Sequence, residues 1–192
     1  MFIVDEMKLI TARTEIPLFL SRNRLNTNIV EIGVRYGYNF QQLLACEPKL
    51  AVAVDSYAEE DQDTGKEQLT LDQLYRDTCK RFLHYPNVKI IRDRSEKVVD
   101  IFDPFFFDYV YIDAGHTQEL CYNDMQRWWP KVRQGGVMAG HDYLATTAKD
   151  GSKFGVIEAV AEFIKVKKIP LELFHHTKEG YRSWMLYKRD GE

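Results

Sequence analysis

Four residues sit where a chain could grip a charged ligand: Glu31-x-Gly33-x-x-x-Gly37, and Asp55, which stands 22 positions beyond Gly33. The first three lie in "IVEIGVRYGYNF", residues 29–40, where a hydrophobic strand runs into an acid, a glycine-bearing loop and the start of a helix. A dinucleotide loop needs G-x-G-x-x-G so that backbone N–H groups can approach a pyrophosphate, and a P-loop ends in Gly-Lys-Ser/Thr. Neither spacing is present. A carboxylate at the tip of the first strand repels phosphate and attracts a cation, so Glu31 sets the sign of the ligand. Taken singly, the glycines could mark only a tight turn and the acids only helix caps. Their joint placement at two successive strand ends favours a cofactor.

S-adenosylmethionine meets the requirement, because it carries an ammonium and a sulfonium beside an adenosine. Asp55 is placed to accept hydrogen bonds from ribose hydroxyls. Tyr57 is expected against adenine, with Arg94 and Ser95 at the base edge, and Tyr38, Asn39, Ser56 and Asp113 complete the expected cofactor contacts. A second group bears on chemistry: His116 and His141 follow strand ends on the cofactor side, near Asp113 and Asp142. Methyl transfer from a sulfonium needs an aligned nucleophile and a base, and an imidazole with its intrinsic pKa of ~6.5 suits that role. The plainer reading makes each histidine a helix cap or a carbonyl partner, and Asp142 a brace for the loop 142–153.

The elements that must position these residues alternate. Short runs rich in Val, Ile and Tyr read as strands at 28–32, 50–54, 88–91, 107–112 and 136–140, separated by stretches of helical period. That pattern implies crossovers and a doubly wound, mostly parallel α/β sheet of the Rossmann-like kind. "LELFHH" and "RSWMLYK", with a break at 178–180, add a closing antiparallel hairpin and bring the expected strand count to seven. "YNFQQLLACE" should be helical up to Pro48, and "EQLTLDQLYRDTCKRFLHY" places Leu71, Leu74, Tyr75, Thr78 and Phe82 on one face. Trp128, Trp129 and the tract "DPFFFDYVYID" read as core. The segment 5–22 looks helical but interrupted by Pro17, and residues 1–25 are a candidate lid.

The stretch "YIDAGHTQELCYNDMQRWWPKVRQGGVMAGHDY" resembles the class I S-adenosylmethionine-dependent methyltransferases, in particular the macrocin and catechol branch of small-molecule O-methyltransferases. That branch reads I-D-G-D-H-x-Y-E after the fourth strand and G-G-x-x-x-x-D-D-Y around the fifth. The resemblance implies that Asp113, His141 and Asp142 stand where carboxylates hold Mg2+ or another divalent cation that lowers the pKa of an acceptor hydroxyl. Two positions depart from the pattern: His141 replaces the first acid of the doublet, and Gly115 replaces the acid that serves as base in the sugar enzymes. The resemblance implies methyl transfer to oxygen of a small polar acceptor, of sugar or phenol type, with His116, His141 and Asp113 as the catalytic group. A non-catalytic binding module with the same fold and an NAD-dependent oxidoreductase are the competing classes; the second lacks its third glycine and is disfavoured by Glu31.

Composition bounds the rest. With 192 residues and 45% hydrophobic content the chain suits one domain spanning 1–192. The balance of 26 basic and 29 acidic residues, net −3, gives no basic stripe for nucleic acid. Cys46, Cys79 and Cys121 have neither disulfide nor zinc spacing, which fits a reducing cytoplasm. No leader or membrane span is read, and a homodimer is left open. Substrate choice is expected from 56–68, with its solvated acids Glu59, Glu60, Asp61 and Asp63, and from the loop after Asp142, where Tyr143 and Lys153 are candidate contacts.

Overall fold

The computed structural model describes residues 3–58, 68–147, 153–175 and 182–189. Its strands are β1 (Asn28–Ile32), β2 (Leu50–Asp55), β3 (Val88–Arg92), β4 (Phe107–Ile112), β5 (Val132–Gly140), β6 (Glu172–His175) and β7 (Arg182–Tyr187). They form one sheet in the order β3-β2-β1-β4-β5-β7-β6. Strands β1 to β5 pair in parallel, and β7 pairs antiparallel with both β5 and β6. The chain first winds outward from β1 through β2 to β3, then returns to β4 on the other side. The order therefore reverses between β1 and β4, and ligands bind at the carboxyl ends of the strands beside such a reversal.

Alternation along the central strands feeds two cores, one on each face. Val30, Ile32, Val52, Val54, Val110, Ile112 and Met138 point to one face. There they meet Val98 of α5 (Ser95–Val98), Cys121, Met125 and Trp128 of α6 (Gln118–Trp128), and Ala159, Val160 and Phe163 of α7 (Val156–Lys167). Ile29, Ala51, Ala53, Tyr109, Tyr111, Val137 and Ala139 point to the other. That face is covered by Phe40 and Leu43 of α3 (Tyr38–Leu43), Phe82 of α4 (Gln68–Phe82) and the leading segment. Coverage on both sides is why the parallel strands read as nearly continuous apolar runs. Trp128 and Trp129 are core residues, as their position before β5 suggested.

Several boundaries moved from the sequence reading. Pro17 does not interrupt a helix; it sits in the first turn of α2 (Ile16–Arg22), where a missing N–H costs nothing and the fixed φ suits the helix. A separate helix, α1 (Ile3–Met7), precedes it. The helix after the glycine loop stops at Leu43 and tightens into a 3-10 turn at Leu44–Cys46. The fifth strand starts four residues early, at Val132, because Gly135 in a left-handed conformation and a register irregularity let the strand continue past the Gly-Gly pair. The hairpin break at 178–180 and most of the insertion 56–68 lie outside the described residues. Ile16 and Leu20 are fully buried and Met7, Phe19 and Leu25 nearly so, which makes the leading segment a layer of the core. Each such side chain contributes roughly 1.5–3 kcal/mol on burial.

Candidate active site

Backbone bonds gather the carboxyl ends of four strands. Gly33 N donates to Val54 O, Asp113 N to Ile32 O and His141 N to Ile112 O, at 2.8, 2.8 and 3.1 Å. Above them opens a cleft of about 1230 Å³, lined by Glu31, Gly33, Asp55, Ser95, Asp113, His116 and Asp142 among others. That is ample for a nucleoside cofactor with a second small molecule beside it.

At the centre of the cleft the backbone is crowded. Gly33 has φ +87, and a Cβ there would lie 2.0 Å from the carbonyl oxygen of Asp113. Only glycine lets the β1 loop pass this close to the end of β4, and the loop so held is a candidate cradle for a ligand. Beside it Glu31 is buried and accepts a hydrogen bond from Asn39 Nδ2 at 3.0 Å. Burial, and then the charge of Asp113, push the Glu31 carboxyl well above the ordinary carboxylate range. A bound cation would reverse that shift.

Asp55 is also buried, and its two oxygens accept from Arg35 N and Tyr57 N, each at 2.8 Å. These two bonds fix the carboxylate at the wall of the cleft. Arg35 has a positive φ of 49, and its carbonyl is held by Tyr57 Oη and Thr78 Oγ1, both at 3.0 Å. Tyr57 is thus turned away from its expected place. It is 1% exposed, packs on Tyr75 and braces the Arg35 loop from behind, because its own φ of 46 swings the side chain under the loop. Ser56, Arg94, Ser95, Tyr38 and Asn39 do line the cleft. Gly37, with φ +75, is the residue before α3 and packs toward Phe82.

The second group meets at the ends of β4 and β5. His141 Nδ1 lies 3.0 Å from Asp142 Oδ1 and 3.8 Å from Asp113 Oδ1, while His116 Nδ1 lies 3.5 Å from Asp142 Oδ2. His116 and Asp142 form part of the cleft wall, with the His116 ring 4.5 Å from that of Phe154. His141 sits behind Asp142, its side chain 10% exposed. The helix following His116 is capped by Thr117, whose Oγ1 accepts from Leu120 N at 3.3 Å, so the histidine is not spent as a cap. Burial raises the Asp113 carboxyl to about 6 despite the opposing charge of His141. Burial alone would do the same to Asp142, but the His141 hydrogen bond and the charges of His141 and His116 hold it below its ordinary value. Burial disfavours the His141 imidazolium, yet the Asp142 bond and the two acids outweigh it and raise its pKa.

A family model described as a methyltransferase domain matches residues 30–143, more than half of the chain, from within β1 to just past the end of β5. The chain belongs to this methyltransferase family. No curated protein matches it in sequence. Among solved structures, the O-methyltransferase from Bacillus cereus in complex with S-adenosylhomocysteine is similar at TM-score 0.64 and 14% identity, over 92% of this chain and 80% of that one. TomG from Streptomyces achromogenes, an O-methyltransferase of tomaymycin synthesis bound to S-adenosylmethionine, gives 0.63 and 12%, over 92% and 79%. A Clostridium thermocellum protein assigned as an rRNA methylase gives 0.67 and 14%, over 95% and 98%. At these identities the likeness is one of fold, which by itself fixes no acceptor.

The cleft of this methyltransferase offers candidate cofactor contacts at Gly33, Glu31 and Asp55. It also suits a divalent ion: donor atoms of Asp113, His141 and Asp142 all lie within 4.8 Å of one another. Two carboxylates and one imidazole make a mixed oxygen and nitrogen set. The Gly115 departure has a steric basis, since a Cβ there would meet Leu120 Cδ1 at 2.7 Å. Among the cleft residues that escaped the sequence reading are Arg13 from the leading segment, Phe154, and Asp124 of α6. Asp124 is bonded to Ser95 Oγ, and its spacing in "YNDMQRWW" looks like an ordinary polar helix position. Lys153 pairs with Glu158 at the surface, Tyr143 packs against the core, and Thr146 and Thr147 take the cleft positions of that loop instead. No helix among the described residues is long and apolar enough to cross a membrane.

Proposed function

We propose that this methyltransferase uses S-adenosylmethionine to methylate a hydroxyl oxygen of a small polar acceptor, with His116 as the general base. The cofactor, when bound, supplies an electrophilic methyl group on a positively charged sulfur. The chain's own residues do the remainder. Glu31 faces the ammonium, Asp55 accepts from the ribose hydroxyls, and Ser95 and Arg94 border the base. Gly33 lets the loop backbone approach the ligand.

The observation that carries the reading is the pair His116 and Asp142 on the cleft wall, on the same strand ends as the cradle. An imidazole within reach of the cleft can take the proton of an acceptor hydroxyl as the oxygen attacks, and Asp142 orients the ring and favours the imidazolium that forms. His141, behind Asp142, fixes the carboxylate through its 3.0 Å contact. Asp113, His141 and Asp142 would hold a divalent cation, which when bound would acidify the acceptor hydroxyl. The balance of charge, net −3, supports a small molecule over nucleic acid as the acceptor.

Transfer of labelled methyl to a panel of sugars and phenols tests this, run with and without a chelator. His116→Ala is expected to lower turnover by about a hundredfold to ten-thousandfold while S-adenosylhomocysteine affinity stays within about twofold. Unchanged turnover in His116→Ala would remove it as base, and loss of activity on chelation alone would shift the role to the cation site.

A further inference from the structure

The floor of the cleft is anionic, with Glu31, Asp113 and Asp142 all lining it. Among its cations is one from the leading segment of the chain. Arg13 opens the 3-10 turn Arg13–Glu15 yet lines the same cleft as Glu31 and Gly33, and its charge acts on Glu31, Asp113 and Asp142. Its backbone is well anchored. The Glu15 carboxylate accepts from Thr11 N at 2.6 Å and Ala12 N at 3.2 Å, and the next residue, Ile16, is fully buried.

We propose that Arg13 binds the α-carboxylate of the cofactor's methionyl end, so that Glu31 and Arg13 together grip the two opposite charges of one amino-acid headgroup. The inference rests on the S-adenosylmethionine reading and extends it to specificity. Ammonium and carboxylate hang on the same carbon, so their counter-ions must stand close together across the site. Glu31 is the buried acid at the tip of β1, and Arg13 is a cation whose field reaches it from a different element. A guanidinium is suited to this task because its planar fork matches a carboxylate in a two-point contact. The leading segment then serves as a fixed wall that selects the intact amino-acid cofactor over truncated nucleosides.

A purely neutralising Arg13 makes a different prediction. Removing it would leave the cleft more anionic, which a zwitterionic headgroup of zero net charge feels little, so S-adenosylhomocysteine affinity would stay about the same. Calorimetric titration of S-adenosylhomocysteine and of 5′-methylthioadenosine, which lacks the amino-acid end, separates the two. Arg13→Gln is expected to weaken S-adenosylhomocysteine by about tenfold to a hundredfold and to leave 5′-methylthioadenosine within about twofold, with Arg13→Lys intermediate. Equal weakening of both ligands would make Arg13 a structural prop and overturn the proposal, as would unchanged or tighter S-adenosylhomocysteine binding. If affinity for S-adenosylhomocysteine is unchanged but the acceptor KM rises, the carboxylate gripped is the acceptor's, and the cofactor assignment is refuted. A wild-type protein that binds neither nucleoside would bring down the cofactor reading itself, a result visible before any variant is made.

Discussion

Asp124 offers a quantitative check on the electrostatics of the cleft. It lies on α6 with 7% exposure and is bonded to Ser95 Oγ, and burial raises its carboxyl to about 6. The ordinary value is 3.8, so the folded protein holds this proton more tightly than the unfolded chain does. The stability from Asp124 is therefore fully present below about pH 4 and is lost as pH rises through about 6. Over the whole window the change is ~3 kcal/mol, from about two pKa units at ~1.4 kcal/mol each, and between pH 5 and pH 7.5 it is ~1.4 kcal/mol. Asp124→Asn keeps an acceptor for Ser95 and has no proton to lose. Urea denaturation of both proteins at pH 5 and pH 7.5 should show the variant gaining ~1.4 kcal/mol on the wild type between the two values, while all other titrations cancel in the comparison. A difference that stays flat to within about 0.5 kcal/mol would mean that Asp124 titrates normally and that water reaches it, and the burial argument for this carboxylate would fail.

Two further outcomes follow from the same geometry. Gly33→Ala places a methyl 2.0 Å from the Asp113 carbonyl at φ +87, so it should cost roughly 3 kcal/mol or more in a urea melt and abolish S-adenosylhomocysteine binding; a variant of normal stability and affinity would show that the loop is not a cradle. Glu31 carries a raised pKa in the free protein, and an ammonium beside it lowers that pKa, so cofactor binding should release a proton and tighten as pH rises. Calorimetry in two buffers of different ionisation enthalpy reads this directly, and equal apparent enthalpies would refute it.

The glycine loop, the acids at the strand ends and the order of strands and helices were written locally. Glu31, Gly33 and Gly37 fall within seven residues, and the alternation of Val30 and Ile32 with Ile29 states which face each side chain takes. Short-range sterics and burial period act between near neighbours, so the sequence alone determined the fold class and the succession of strands and helices. What it left open depended on loop torsions and on partners far along the chain. Tyr57 and Tyr38 are both tyrosines beside strand ends, yet the φ of 46 at Tyr57 buries one while the other lines the cleft. His116 and His141 follow strand ends equally, and packing against Phe154 and Asp142 decided which faces the cleft. Arg13 and Asp124 carried no signal at all, because their meaning arises from elements that only the folded sheet brings together: the first 3-10 turn over β1, and α6 beside the loop after β3.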